Sequence, residues 1–483
     1  MTSISQFSDI RPTDWAYQAI SNLIEGYGCV TGYPATKFLG SRPLSRWEAA
    51  AALNACLDRI SDHTDALKRL LREFEKERAV ITGRVDGLQA RVGVLEASRF
   101  STTTRLRGQA SFVLGANRFN GSDTAQVQQN REQFGATTFN YDVQLNLDTS
   151  FSGKDLLRTT LRAGNFNFTT NSFGGAGPSS LSLLEVAFQE DCGSGANCGD
   201  VVAINRLFYQ VPLGDFTVTV GGWVEQTDML AIWPSAYPSD TVLNVFTLAG
   251  APGAYNSALG AGAGLWWQKN GWAFSANYVA ANGDDATSAQ GGVATTGSGG
   301  SGTLQLGYGG KAWAIAAAYA RVQNANDLIP AGTRFSLSSF SNPGYTDAVA
   351  LSGYWQPAQA GWIPSISAGW GLNSSRYTPA VNTAGLVSTS QSWSVGLEWS
   401  DAFRPGNALG MAVGQPTFAT QLVGGANAND ANVAWEWWYK LQISDSLAVT
   451  PALFYLSRPL GADTAAGNSF DQLGGLIKTS FQF

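Results

Sequence analysis

The run Tyr141-Asp142-Val143-Gln144-Leu145-Asn146-Leu147-Asp148 alternates apolar and polar residues at every step. A strand turns successive side chains to opposite faces, so Tyr141, Val143, Leu145 and Leu147 share one face and Asp142, Gln144, Asn146 and Asp148 the other. A second run repeats the pattern: Trp435, Trp437, Tyr439, Leu441 and Ile443 lie on one side, and Glu436, Lys440 and Gln442 on its opposite. The segments Trp272–Tyr278, Leu304–Tyr308 and Trp393–Trp399 read the same way. Strands of a soluble sandwich alternate too. Here the polar faces carry Asp, Lys and Arg inside aromatic-capped segments, as in a barrel that is wet within and lipid-clad outside.

Composition points the same way. Of 483 residues only 14% are charged, while aromatics reach 12% and glycines number 55. A soluble chain usually carries about 25% charged residues. Nothing approaches the roughly 18 consecutive apolar residues of a membrane helix. The net charge of −6, without a basic stripe, excludes a general nucleic-acid footprint.

Counting back from the C-terminus, short turns fall at 444–446, 404–407, 357–361, 309–311, 269–271, 212–215 and 152–155. Long Gly/Asn/Ser-rich stretches alternate with them, for example 283–300, 324–344, 374–390 and 421–431. Short periplasmic turns and long outer loops are the porin habit. A naive count gives an odd number of strands. Dropping 181–191 restores the alternation, predicts a 16-stranded antiparallel transmembrane β-barrel over 101–483, and makes 167–200 one long outer loop. That loop either narrows the barrel from within or stays outside as a lid. Sixteen strands leave an aqueous interior, and the stretch is too short for a 22-stranded transporter with its plug.

Cys192 and Cys198 in this loop fit a disulfide in an oxidising compartment, and Cys29 and Cys56 are a possible second pair. Inward-facing charges expected to line the pore are Arg105, Arg107, Arg158, Arg162 and Arg206, against Asp142, Asp148, Glu225, Glu398, Glu436 and Lys440. Arranged as facing rings they would select ions; Arg105 and Arg107 read equally well as rim residues. The single histidine, His63, lies outside the barrel, so Ser–His and Asp–His catalysis cannot be assembled there. No metal site, cofactor or enzymatic activity is expected.

The N-terminal hundred residues differ in kind. Residues 1–60 carry helical spacing at Trp15, Ala19, Ile20, Leu23 and Ile24, a turn at Gly32-Tyr33-Pro34, and a capping box at Ser45 and Glu48. In 61–100 the positions Ile60, Leu67, Phe74, Ile81, Leu88 and Leu95 recur with a heptad period. Leu57, Leu71, Val85 and Val92 fill most partner positions, which predicts a coiled-coil trimerisation helix; a single helix packed on the barrel is the plainer reading. Residues Met1–Gln6 lack a basic region and an apolar core, so the numbering is expected to begin at a mature end.

The first region resembles an S-layer homology (SLH) repeat through Phe7, Asp9, Trp15-Ala16, Ala19-Ile20, Leu23, Gly32-Tyr33-Pro34, Phe38 and Leu44-Ser45-Arg46-Trp47-Glu48; Ala35-Thr36 departs from its usual Asp-Gly. The resemblance implies a small α-helical domain binding peptidoglycan-linked polysaccharide through Asp9, Trp15, Tyr33 and Arg46. Arg91-Val-Gly-Val-Leu-Glu96 resembles a short trimeric coiled-coil signature. The last strand ends at Phe481 and Phe483, and a terminal Phe there resembles the insertion signal read by the barrel-assembly machinery. The whole order looks like the SLH-bearing porins of cyanobacteria, related to the carbohydrate-selective, OprB-like porins. That resemblance implies a homotrimer in outer-membrane lipid, with its N-terminal region in the periplasm and tied to the wall. Three SLH repeats would be brought together by the coiled coil. The solute is expected to be small inorganic ions or, from the OprB side, carbohydrates. A barrel plugged into a purely structural tether is the remaining alternative.

Overall fold

The computed structural model describes residues 103–190, 198–239, 241–325 and 328–483, together with Glu75, which is helical. The chain divides into two compact units, 1–100 and 101–483. The expectations for Asp9, Trp15, Tyr33, Arg46, Cys29, Cys56 and the heptads lie outside the described residues.

The second unit is a closed barrel of sixteen strands, each antiparallel to its sequence neighbours, with the last pairing the first. They are β1 (Thr104–Gly121), β2 (Thr138–Thr149), β3 (Leu156–Gly164), β4 (Ala203–Leu213), β5 (Phe216–Glu225), β6 (Leu259–Lys269), β7 (Trp272–Ala280) and β8 (Gly300–Gly309). The second half comprises β9 (Trp313–Gln323), β10 (Gly344–Trp355), β11 (Ser365–Tyr377), β12 (Val387–Ser400), β13 (Ala408–Leu422), β14 (Val433–Ser444), β15 (Leu447–Ser457) and β16 (Phe470–Gln482). Closure satisfies every strand edge, the condition for crossing lipid with a sheet. The seam runs from Gln109 opposite Gln482 to Gly121 opposite Phe470. The terminal residue extends it: the Phe483 amide donates to the Gly108 carbonyl at 3.0 Å, and the Gly108 amide donates back at 2.7 Å.

Alternation sorts the two faces. On β9, Trp313, Ile315 and Tyr319 are exposed outward, while Ala314, Ala316, Ala318, Ala320 and Val322 are buried inward. At the short-turn end the outer face carries an aromatic belt, with Trp272 and Tyr308 rings 4.9 Å apart and Tyr308 and Trp313 5.8 Å apart. Phe481 and Phe483 also face outward and are exposed. Such belts mark the membrane–water interface.

The connections alternate as the parity count requires. The turn between β6 and β7 is Asn270-Gly271, both with positive φ (53° and 84°), which suits a tight hairpin. At the opposite end, long loops carry α1 (Thr124–Phe134) and α2 (Arg334–Phe340). Residues 181–190 form no wall strand; Ser180–Ser182 is a 3₁₀ turn inside the connection from β3 to β4. One boundary differs from expectation. The two ends of the stretch 374–390 are strand, because Ser374 pairs with Thr389 across β11 and β12, leaving 378–386 as loop.

Candidate functional site: the barrel lumen

Two loops enter the barrel, where one was expected. The loop from β3 to β4 buries Phe166, Phe173, Leu181, Leu184 and Val186 against inward residues of β1 and β13 to β16, among them Val113, Ala412, Phe454 and Leu476. The loop from β5 to β6, residues 226–258, adds Tyr237, Val242, Leu243, Val245 and Phe246 to the same cluster. Its last part packs Tyr255 and alanines 249, 251 and 254 on inward alanines of β9 and β10.

The two loops are joined edge to edge. Leu184 and Leu243 form an antiparallel bridge. The Glu185 amide donates to the Val242 carbonyl and the Asn244 amide to the Leu183 carbonyl, each at 3.0 Å. The Glu185 carboxylate accepts from Asn244 Nδ2 (2.7 Å) and Thr247 Oγ1 (3.0 Å), and burial pushes this carboxyl above its ordinary value.

Barrel residues anchor the joined pair. Glu436 on β14 is fully buried. It accepts from Tyr237 Oη at 2.8 Å and from the Leu243 amide at 2.7 Å. Trp438 Nε1 donates to the same Tyr237 oxygen at 2.8 Å, and Lys478 Nζ donates to the Thr241 carbonyl at 3.0 Å. Glu436, expected to line the pore, therefore faces inward but lies beneath the 226–258 loop. A water-facing role is precluded because both its oxygens are taken by that loop. The wall opposite the loops is small-featured. A Cβ on Gly369 would meet the Ala249 carbonyl, and one on Gly396 would meet the Tyr237 ring.

The inner face of β1 to β4 is different. Here charged pairs stand beside apolar contacts such as that of Val113. Arg158 holds Asp148 with two bonds, at 2.7 and 2.9 Å. Arg162 bonds Asp142 at 2.7 Å and lies over the Phe188 ring at 4.9 Å, facing the loop. Arg206 bonds Asp228 at 3.0 Å and also pairs with Glu225. Arg105 and Arg107 are exposed near the short-turn end, in register with Asp148 and Asn146. Glu398 and Lys440 face inward at the short-turn ends of β12 and β14 and are partly buried. At the long-loop end, among the loops that follow β5, β7, β9 and β11, a cavity of about 960 Å³ is lined by Asn244, Asn256, Asn282, Gln290, Thr296 and Asn324, with no charged side chain among its lining residues. Among the described residues no group of three or more His, Cys, Asp or Glu could hold a metal. Cys198 is buried and disulfide-bonded, while Cys192 lies outside the described residues.

Sequence reasoning missed the 226–258 loop and its anchors Tyr237, Trp438 and Asp228. A signal existed: the inward positions Ala314 to Ala320 and Ser365 to Gly371 are all tiny. A wide wet wall has no need of such residues, whereas a wall covered by a loop does.

Residues 63–483 match the carbohydrate-selective porin OprB family. The chain belongs to that family. Its members are channels, not enzymes, and a sixteen-stranded barrel of this kind is an outer-membrane protein. Residues 6–50 match the S-layer homology domain. An uncharacterized protein of Nostoc sp. is 31% identical, with 100% of this chain and 85% of that one covered. An uncharacterized protein of Synechocystis sp. is 29% identical over 100% of this chain and 91% of its own length. Among solved structures, Pseudomonas putida OprB at high pH is similar at 12% identity and TM-score 0.48, covering 82% of this chain and 97% of that one.

Proposed function

We propose that the OprB-family barrel is a narrow diffusion channel for small hydrophilic solutes, with inorganic ions as its main cargo. The observation that carries this reading is the Leu184–Leu243 bridge, which joins two inward loops packed on the inner faces of β9, β10, β13 to β16 and part of β1. What remains runs along the paired charges of β1 to β4. Arg158, Arg162 and Arg206 each have a carboxylate partner, so along them an ion meets local dipoles rather than free charge. Carbohydrates are the second reading. The family's description and the uncharged Asn/Gln/Thr vestibule favour it, because such side chains suit hydroxyl groups.

The SLH match supports a second role, tethering the outer membrane to wall polysaccharide from the periplasm through Asp9, Trp15, Tyr33 and Arg46, with trimerisation through the 61–100 heptads gathering three repeats. Cys192 and Cys198 are proposed as one disulfide, and Arg105 and Arg107 as the inner mouth of the pore. Planar-bilayer recordings, paired with sugar-driven liposome swelling, test the transport reading. Small ohmic steps with slow swelling support ions. Swelling at a rate matching a general porin supports sugars, and a closed bilayer supports a plugged tether. Loss of wall sedimentation on deleting 1–60 tests the anchor.

A further inference from the structure

The outer face of the barrel carries a polar cluster among apolar neighbours on three adjacent strands. At the long-loop ends of β9, β10 and β11, the outward positions Tyr319, Arg321, Tyr345, Asp347 and Arg376 form a polar cluster. Arg321 holds Asp347 with two bonds, at 2.9 and 3.1 Å, and Tyr319 Oη donates to the same carboxylate at 2.6 Å. The Tyr345 ring lies under both guanidinium groups, with its centroid 4.5 Å from Arg321 and 5.9 Å from Arg376. Arg376 donates to Tyr345 Oη at 3.2 Å and is otherwise open to the surroundings, as is much of Arg321.

Position gives the cluster its meaning. Arg321 stands eight residues beyond the belt residue Trp313, about 26 Å along the strand. With strands tilted about 40° this is about 20 Å of height, near the outer edge of an apolar band about 25 Å tall. Directly below, toward the belt, Ile315, Val349, Leu351 and Trp370 are exposed on the same three strands. Charges are costly on a lipid face at mid-depth and cheap only at its edges. Two guanidinium groups against one carboxylate leave net positive charge, held in place by the Tyr345 ring and the Asp347 fork.

We propose that this cluster is a binding site for the anionic headgroup of an outer-leaflet lipid. Arg376 and the free donors of Arg321 bond its phosphate or carboxylate, Tyr345 forms the floor, and the acyl chains lie on Val349, Leu351 and Trp370. Guanidinium forks match such oxyanions two bonds at a time. The acyl contact commits the site to a lipid, and a free phosphate ion would use the headgroup contacts alone.

The test is native mass spectrometry of the full detergent-purified chain. It is incubated with phosphatidylglycerol, with phosphatidylcholine of the same chains, or with inorganic phosphate. Phosphatidylglycerol should be retained about tenfold over phosphatidylcholine, and Arg376→Gln should remove most of that preference, the loss of one charge-assisted contact. Arg376→Lys, which keeps charge without the fork, should fall between. Tyr345→Leu should weaken retention without removing either charge, and Lys269→Gln, at the opposite end of the barrel, should leave it unchanged. Equal retention of the two lipids overturns the proposal. So does competition by millimolar phosphate alone, which would make the site a free-anion site. An Arg376→Gln variant that changes the ratio of oligomer to monomer but not lipid retention also overturns it, and assigns the face to a protein contact.

Discussion

The two sides of the lumen solve the same problem in opposite ways. On β1 to β4 the inner wall carries charges that are tied to one another in pairs such as Arg162–Asp142. On β9 and β11 the inner wall is small, and from β9 round to β16 it is covered by chain; its one fully buried carboxylate, Glu436, serves the covering loop. The same residue type, an inward acid on a strand, thus pairs with arginine on one side and positions backbone on the other. The difference lies in what faces it. A carboxylate opposite an arginine on a neighbouring strand forms an ion pair within the wall, whereas a carboxylate opposite a backbone amide and a phenol holds a loop in place.

That comparison is easiest to break at the loop anchor. Glu436→Ala leaves the Leu243 amide and Tyr237 hydroxyl without their acceptor. It should cost about 3 kcal/mol in urea unfolding. Conductance should rise severalfold as the 226–258 loop loosens. Glu436→Gln keeps one acceptor and should cost about 1 kcal/mol, with conductance close to the parent. Gly369→Val attacks the same packing from the wall side, because its side chain would enter the Ala249 carbonyl. It should also raise conductance, or give a barrel that loses its resistance to heat.

On the charged wall the effect should be one of selectivity rather than size. Asp142→Asn and Asp148→Asn together leave Arg162 and Arg158 uncompensated. The reversal potential in a tenfold salt gradient should shift toward anion preference, with single-channel conductance changed by less than about twofold. An unchanged reversal potential would falsify the view that these pairs face the ion path.

The smallest effect is expected at the inner turn between β2 and β3. The Asp155 carboxylate accepts from the Ser152 amide and hydroxyl, from Ser150 and from Tyr209 at 2.9 Å. The Ser152 hydroxyl, above all, holds the carboxyl well below its ordinary range. A depressed folded value means the turn is stabilised above the unfolded value of about 3.9, and that this is lost as pH falls through the lower folded value. Asp155→Asn should therefore unfold more readily than the parent at pH 7 and match it in strong acid, as followed by heat-modifiable gel mobility.

Much of the barrel was legible because alternation is local: Tyr141 to Asp148 declares its two faces in eight residues. The segment 181–191 imitates a strand with its Leu, Val and Phe positions, and only the parity of the whole chain excluded it. The lumen was less legible because its packing is not local. Leu243 and Glu436 are 193 residues apart, and nothing in either neighbourhood names the other. Glu436 sits on an alternating strand as any pore residue would. The tiny inward residues of β9 and β11 announce that something covers them without saying what. The N-terminal motifs were legible as a resemblance, and residues 6–50 match the corresponding domain.

The central claim is that two joined loops set the width of this channel. It is tested most directly by single-channel conductance of the parent and of a Tyr237→Ala, Glu436→Ala double variant in the same planar bilayer and salt. The account predicts small, steady ohmic steps for the parent and steps severalfold larger, with added flicker, for the variant. Equal conductance from two correctly folded barrels would contradict it.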